Sequence, residues 1–227
     1  MVRASRAGII YHRQDGAPAL RQRACPIRMN HTLRFLLLLV LATASVTALA
    51  IDTSSLRPPK GAKVAIIVFE DLQCPDCRAA EPLLEEAAAK YKIPLVRHDF
   101  PLPQHSWSYD AHVMAHYFAS KSPQLGEEFW RYIFNNQPSI TRLNLRGFAE
   151  RFAEEHKTDL PSIYDPRGEF AAAVQAEFRL AQTVGADHTP TIFVVSNMQR
   201  GTPFIEVVDR SQLFDLIEKL LKEADAK

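Results

Sequence analysis

A Cys-x-x-Cys pair at the point where a strand gives way to a helix is the feature that most constrains this chain. Residues 63–69 (KVAIIVF) are short, apolar and rich in β-branched side chains, which predicts an interior β-strand. In the following Cys74-Pro75-Asp76-Cys77, Pro75 suits a first helical turn because its φ is fixed and it lacks an N–H. Cys74 would then lie at the helix N-terminus, where free N–H groups and the helix dipole favour a thiolate. Cys77 returns to the same helix face within disulfide-forming range, so the pair is a candidate redox centre.

The amino-terminal region has the features of an export signal. Residues 29–50 combine a short charged region, an apolar run too short to span a bilayer comfortably, and an Ala-Leu-Ala ending. This pattern predicts a signal peptide cleaved near Ala50, and hence periplasmic or extracellular localisation. The alternative is an uncleaved membrane anchor formed by residues 35–50. With a natural start at Met29, residues 1–28 would be an upstream extension, either translated or not. Residues 51–62 are predicted to be a linker.

The predicted cleavage changes both the charge and the cysteine content of the chain. Residues 1–50 hold seven Arg and one Asp of the 27 basic and 26 acidic residues, so the remainder has a net charge of about −5. No basic patch is left that would indicate a nucleic-acid partner. Cys25 is removed as well, which leaves Cys74 and Cys77 alone. A single closely spaced pair in an exported protein indicates chemistry rather than a structural disulfide.

The order of the remaining elements predicts an α/β fold interrupted by helices. A second strand pattern follows the first helix, which gives a β-α-β unit with a parallel, right-handed crossover. Residues 104–183 have helical periodicity throughout. Two strand patterns joined by turn residues and a final amphipathic segment then predict a β-β-α unit with an antiparallel hairpin. We therefore expect residues 63–103 and 184–224 to form one domain and residues 104–183 to form an inserted all-helical subdomain.

This order, with the Cys-x-x-Cys after the first core strand, resembles the thioredoxin fold, and its details are similar to the DsbA-like branch of that fold. The resemblance rests on residues 69–77 (FEDLQCPDC), residues 100–105 (FPLPQH) and residues 185–191 (GADHTPT), and it covers nearly the whole chain after the export signal. It implies that Thr189–Pro190 is a cis peptide facing the two cysteines. It also implies that the backbone around Thr189 docks an extended substrate strand.

The resemblance implies an oxidoreductase that performs thiol–disulfide exchange on protein substrates. Cys74, exposed and favoured as thiolate, would form the mixed disulfide, and the more buried Cys77 would resolve it. The Cys74–Cys77 disulfide would be the redox group, with no metal or further cofactor. The implied partners are thiol- or disulfide-containing proteins and a membrane redox protein, either a quinone-linked oxidase or a thiol reductase. The direction of exchange stays open, and a monomer is expected.

Pro75 and Asp76 are expected to tune the redox poise. An acidic side chain beside a thiolate disfavours the anion, so Asp76 predicts a raised pKa for Cys74 and a centre less oxidising than a strong periplasmic oxidase. One departure from the family bears on the same point. Many members place an acid six residues before the first cysteine, and this chain has Val68 there.

Four more polar residues are candidate modulators of the site: Glu70, Asp71, His105 and His188. Glu70 and Asp71 are candidate proton acceptors for the second cysteine, and the alternative is that they are solvated acids at the end of a strand. His105 and His188 are expected near the site from its helical side and its Thr-Pro side, where they would modulate the charge of the thiolate.

Three other interpretations are open. In the first, the two cysteines together with His112 and His116 would supply the four ligands of a zinc site, although nothing in the sequence links these histidines to the cysteines. A non-catalytic module would use the groove beside Pro190 to hold extended peptides. A DsbC- or DsbG-like isomerase usually needs a further dimerisation domain, for which the segment between Ala50 and Lys63 has no room.

Overall fold

The computed structural model describes residues 52–198 and 203–226. The predicted upstream extension (1–28), signal peptide (29–50) and alternative anchor (35–50) lie outside the described residues. Within the described ranges, no helix has both the length and the apolar character that a bilayer crossing requires.

The elements follow the predicted order. The strands of the described chain are β1 (Val64–Glu70), β2 (Leu95–Asp99), β3 (Thr191–Ser196) and β4 (Phe204–Glu206). Its α-helices are α1 (Pro75–Tyr91), α2 (Ser108–Lys121), α3 (Pro123–Asn136), α4 (Leu145–Glu155), α5 (Glu169–Thr183) and α6 (Leu213–Asp225). Short 3₁₀ turns occupy Gln137–Ser139 and Arg210–Gln212.

The four strands form one sheet in the order β2-β1-β3-β4. β1 is parallel to β2 and antiparallel to β3, and β3 and β4 form an antiparallel hairpin. These pairings confirm the predicted β-α-β unit and the predicted hairpin. In the register of β1 with β3, Phe69 lies opposite Thr191, so the carboxyl end of β1 meets the amino end of β3. This register brings the segment after β1 next to the segment before β3.

β1 forms the centre of the core because all seven of its residues are buried. Its side chains alternate between two faces, as the period of a strand requires. Val64, Ile66 and Val68 pack against α1 and α6. Ala65, Ile67 and Phe69 pack on the opposite face, against the C-terminal part of α5 and the chain just beyond it.

The helices between β2 and β3 have a hydrophobic core of their own. Phe118, Phe129 and Phe152 are fully buried or nearly so, with ring centroids 4.6 to 5.1 Å apart. The same cluster extends to Cys74 and Cys77 at the start of α1. The candidate redox pair therefore lies at the boundary between the sheet domain and the helical insertion.

Two segments next to the predicted domain boundaries pack on the sheet. The described part of the predicted linker 51–62 packs on the sheet, because Leu56 inserts into the second face and is only 1% exposed. α5 belongs to the predicted insertion 104–183, and its residue Ala181 is fully buried in the same cluster as Phe69. The last helix of the insertion thus covers the sheet as well.

We expect Leu56→Ala to lower the free energy of unfolding by about 2–5 kcal/mol, because it removes a fully buried side chain and leaves a cavity. Urea denaturation of the protein would measure the change. Leu143→Ala is the matched control, since Leu143 is 97% exposed and its truncation should change stability by about 0.5 kcal/mol or less. Equal stabilities for the wild type and Leu56→Ala would show that this segment is a linker after all.

Candidate active site

Cys74 occupies the N-cap position of α1, and Pro75 begins the helix, as the sequence predicts. The backbone N–H of Cys74 donates to the carbonyl oxygen of Asp71 at 2.9 Å, which closes the turn between β1 and α1. Cys77 lies one helical turn further on and is fully buried, whereas Cys74 is 7% exposed. Both thiols are free. The prediction of an exposed Cys74 is therefore wrong, because the helical insertion covers most of its surface.

Thr189 faces Cys74 across the end of the sheet. The Cys74 sulfur lies 3.4 Å from the carbonyl oxygen of Thr189, to which its thiol form donates a hydrogen bond. The Thr189–Pro190 peptide bond is cis. The structure thus confirms both the isomer and the contact with the first cysteine that the resemblance implies.

The two thiols have opposite electrostatic environments. Hydrogen bonding to the Cys77 side chain, together with the N–H groups of Cys77 and Asp76, lowers the pKa of Cys74 to about 5 in spite of its burial. Burial above all raises the pKa of Cys77, and the charge of Glu70 raises it further. Cys74 is therefore a thiolate at neutral pH and Cys77 a thiol.

Asp76 has an ion-pair partner that the sequence did not reveal. Arg210 Nη2 lies 2.5 Å from Asp76 Oδ1, and Arg210 Nη1 donates to the carbonyl oxygen of Asp76 at 3.4 Å. The sequence predicted that the Asp76 carboxylate raises the pKa of Cys74. The pKa of Cys74 is instead low, because hydrogen bonds hold the thiolate.

Glu70 is a buried acid and not a solvated one. It ends β1 on the same face as Val68, two residues nearer the cysteines, and it is fully buried. Arg97 Nε lies 3.3 Å from Glu70 Oε1, and Arg97 also pairs with Glu81 on α1. Burial raises the pKa of Glu70 well above its usual range, although Arg97 opposes the shift. Glu70 is thus a buried carboxyl group with a raised pKa.

Asp71 is also fully buried, but its carboxylate holds the loop together. Oδ2 accepts hydrogen bonds from the Leu102 N–H at 2.6 Å and from His105 Nδ1 at 2.8 Å, and Oδ1 accepts from the Gln73 N–H at 2.6 Å. Its own backbone N–H donates to Cys77 Sγ at 3.5 Å. With both oxygens occupied, the Asp71 carboxylate is a structural group rather than a proton acceptor.

The two histidines that the sequence predicts near the site each pair with an acidic residue. His105 is bonded to Asp71, as described, and reaches the cysteines only through that residue. The side chain of His188 is 59% exposed and pairs with its neighbour Asp187 at 2.8 Å. Neither imidazole hydrogen-bonds a cysteine among the described contacts.

His112 and His116 face Asp99 and not the cysteines. His112 Nδ1 lies 2.7 Å from Asp99 Oδ1, and His116 Nε2 lies 2.6 Å from Asp99 Oδ2. These contacts argue against a zinc site shared with the cysteine pair. Asp99, His116 and Glu177 have donor atoms within 4.8 Å of one another. Glu177 is already bonded to the Asp99 N–H at 2.7 Å, so hydrogen bonds explain this cluster.

Gln137 is a residue of the site that sequence reasoning missed. Its amide Nε2 donates to the carbonyl oxygens of Leu72 at 2.8 Å and Cys74 at 3.0 Å. His112 Nε2 accepts the Leu72 N–H at 3.3 Å, and Gln73 Oε1 accepts the Trp107 N–H at 2.9 Å. The helical insertion therefore fixes the backbone just before and at Cys74. A polar residue in a short turn after α3 carries no local pattern that would have marked it.

Comparisons with known proteins agree with this fold. A family model described as thioredoxin (Thioredoxin_4) matches residues 59–224. The crystal structure of α-DsbA1 from Wolbachia pipientis has a TM-score of 0.60 and 17% identity, covering 73% of this chain and 89% of that one. ScsC of Proteus mirabilis gives a TM-score of 0.57 at 19% identity, covering 73% and 71% of the two chains. A periplasmic thioredoxin-like protein of Salmonella enterica serovar Typhimurium gives 0.55 at 20% identity, covering 74% and 87%. The chain thus has a DsbA-like thioredoxin fold with a helical insertion.

Two curated proteins also match part of the chain. Na⁺/H⁺ antiporter NhaA 1 of Salinispora arenicola and NhaA 3 of Salinispora tropica are each 26% identical to it over 163 residues. The matches cover 69% of this chain but 24% of each antiporter. The chain therefore spans about a quarter of the length of these relatives, and their transport activity is not carried over to it.

We expect alkylation of Cys74 by iodoacetamide to be half-maximal near pH 5, because hydrogen bonds lower its pKa to about 5. An unfolded cysteine has a pKa of about 8.5. The thiolate therefore stabilises the reduced protein fully above about pH 8.5, and this stabilisation is lost as the pH falls through 5. The stability of the reduced form relative to the disulfide form, measured by urea denaturation, should increase as the pH is raised from about 5 to about 8.5. An alkylation midpoint near pH 8.5 would contradict the low pKa.

Proposed function

The chain belongs to the thioredoxin family, and from this premise we propose that it is an exported thiol–disulfide oxidoreductase that acts on protein substrates through Cys74 and Cys77. The observation that carries the proposal is the opposite state of the two thiols. Hydrogen bonds lower the pKa of Cys74 to about 5, while burial raises the pKa of Cys77. One sulfur is therefore ready to attack a disulfide, and the other stays protonated until a mixed disulfide has formed.

The proposed exchange proceeds in two displacements. The Cys74 thiolate attacks one sulfur of a substrate disulfide, the substrate S–S bond breaks, and the released sulfur takes up a proton. Cys77 then gives up its proton and attacks Cys74 Sγ. The mixed disulfide breaks, the second substrate sulfur leaves as a thiol, and a Cys74–Cys77 disulfide remains. Two electrons pass to the substrate, and its two thiols take up one proton from Cys77 and one from solvent. Oxidation of a dithiol substrate is the reverse of these steps.

Glu70 is the proposed proton acceptor for Cys77. It is fully buried, and its charge contributes to the raised pKa of Cys77. A carboxyl group whose pKa is raised by burial is a stronger base than an ordinary carboxylate and is better suited to accept the proton of a thiol. Arg97, paired with Glu70 and Glu81, would stabilise the carboxylate before the proton arrives. Glu70 would thus perform the role of the acid that many family members have at the position of Val68.

Substrate would bind on both sides of Cys74. On one side, the backbone of Thr189 lies beside the sulfur and is the proposed docking edge for an extended peptide. On the other side, a depression of about 300 Å³ is lined in part by Gln73, Pro75, Trp107 and Ile140. Its mixed polar and apolar lining suits a side chain next to the substrate cysteine.

The cellular setting is part of the proposal. The export signal pattern of residues 29–50 supports a periplasmic or extracellular location. The Salmonella relative is itself described as periplasmic. A monomer that is returned to its working redox state by a membrane oxidase or a membrane thiol reductase fits this setting, since the site can run in either direction.

We expect Cys74→Ser to abolish insulin reduction and oxidation of a reduced protein substrate, because the attacking sulfur is lost. Cys77→Ser should retain attack but stop at a mixed disulfide, which non-reducing gel electrophoresis would detect. A wild type no more active than Cys74→Ser, but still able to bind extended peptides, would support the alternative of a non-catalytic peptide-binding module.

We expect Glu70→Gln to slow resolution of the mixed disulfide about tenfold or more at neutral pH, because an amide cannot accept the proton of Cys77. Rapid mixing of reduced protein with glutathione disulfide, followed by acid quench, separates attack by Cys74 from release of the second glutathione. Glu86→Gln is the control, since Glu86 is exposed on the same helix as Cys77. Equal slowing of both steps, or of neither, would remove Glu70 from this role.

A further inference from the structure

Arg210 approaches the dipeptide between the two cysteines from a distant part of the chain. It lies at the start of the turn Arg210–Gln212 that leads into α6, and it is separated from Asp76 by 134 residues. Its guanidinium binds Asp76 twice, with Nη2 2.5 Å from Oδ1 and Nη1 3.4 Å from the main-chain oxygen. The contact thus holds both the side chain and the main chain of Asp76, the second residue of the dipeptide.

This ion pair is not a source of fold stability. The side chain of Asp76 is 56% exposed and that of Arg210 is 35% exposed. Exposed pairs of this kind contribute little to stability because water screens them and the two side chains lose rotamer freedom. The position of the pair matters more, because Asp76 lies in the first helical turn after the proposed nucleophile.

We propose that Arg210 is a positioning residue of the redox site, which screens the Cys74 thiolate from the Asp76 carboxylate and thereby sets the redox poise. The inference rests on the proposed exchange function. It assigns to Arg210 a role that the Cys-Pro-Asp-Cys motif alone does not contain. An acidic residue in the dipeptide disfavours a thiolate only while its charge is uncompensated.

The other charges around Cys74 do not replace Arg210. Glu70 is paired with Arg97 beneath the site, and Asp71 is bonded to His105. Arg78 lies one turn along α1 and is exposed. None of these groups hydrogen-bonds the Asp76 carboxylate among the described contacts, so Arg210 is its partner in the described chain.

A double-mutant cycle tests the charge relation directly. The pKa of Cys74 is measured from thiolate absorbance in the wild type, Arg210→Ala, Asp76→Asn and the double variant. Arg210→Ala leaves the carboxylate uncompensated and should raise the pKa by about half a unit. Asp76→Asn leaves the guanidinium alone and should lower it by a similar amount. The double variant has neither charge and should return to the wild-type value.

The redox equilibrium provides a second readout. With Arg210→Ala, the equilibrium constant for reduction of the disulfide by glutathione should fall about threefold, which corresponds to about 15 mV. Arg210→Lys should restore most of the difference because it keeps the charge. Arg167→Ala is the matched control, since Arg167 forms a similar exposed pair, with Glu169, outside the site.

The outcomes are distinct from those that test the exchange function. An unchanged pKa in Arg210→Ala, or a double variant that behaves like Arg210→Ala, would overturn the role of Arg210 even in an active enzyme. Thiolate absorbance requires no substrate, so a cycle that closes as expected supports this role whether or not exchange is observed. Absence of exchange with a closed cycle would count against the proposed function alone.

Discussion

The hydrogen bonds of the buried Asp71 carboxylate are the interactions on which the arrangement of the candidate redox pair depends. The carboxylate joins the loop after β1 to the segment after β2 through Leu102 and His105, and it closes its own loop through Gln73. A fully buried carboxylate is stable only when its oxygens are hydrogen-bonded. Asp71 is therefore held by residues that come before β2 in the chain and by residues that come after it. The position of the turn leading to Cys74 follows from it.

The helical insertion also holds the backbone that leads to Cys74. Gln137 and His112 bind the main chain of Leu72 from the insertion, and Gln137 also binds the carbonyl of Cys74. Because the register of β1 with β3 brings Thr189 to the same end of the sheet, the sulfur is held between two independently fixed backbones. The insertion is thus part of the construction of the site as well as a cover over it.

Local patterns were sufficient to predict the parts of the molecule that neighbouring residues determine. The continuous apolar run of β1, Pro75 in the first helical turn and the strand after Pro190 each follow from a few consecutive residues. The same local chemistry indicated a thiolate at Cys74. The order of these elements, together with the resemblance to DsbA-like proteins, was enough to predict the sheet and the contact between Thr189 and Cys74.

The features that the sequence did not reveal all depend on contacts between distant segments. Arg210 meets Asp76, and Gln137 meets Leu72, across more than sixty residues. Leu56 was assigned to a linker because its neighbours are polar or proline, and only the sheet face opposite it explains its burial. Glu70 and Asp71 are adjacent acids with different roles, since alternation along the end of the strand points them to different partners.

The small exposed surface of Cys74 has a consequence for which proteins can react. Displacement at sulfur requires the attacking atom to approach along the axis of the disulfide, yet only 7% of this residue is accessible. A disulfide in an unfolded or extended chain can reach this line of approach more easily than one that is enclosed in a compact domain. Under the proposed function, the site would therefore act on disulfides in unfolded segments of a client.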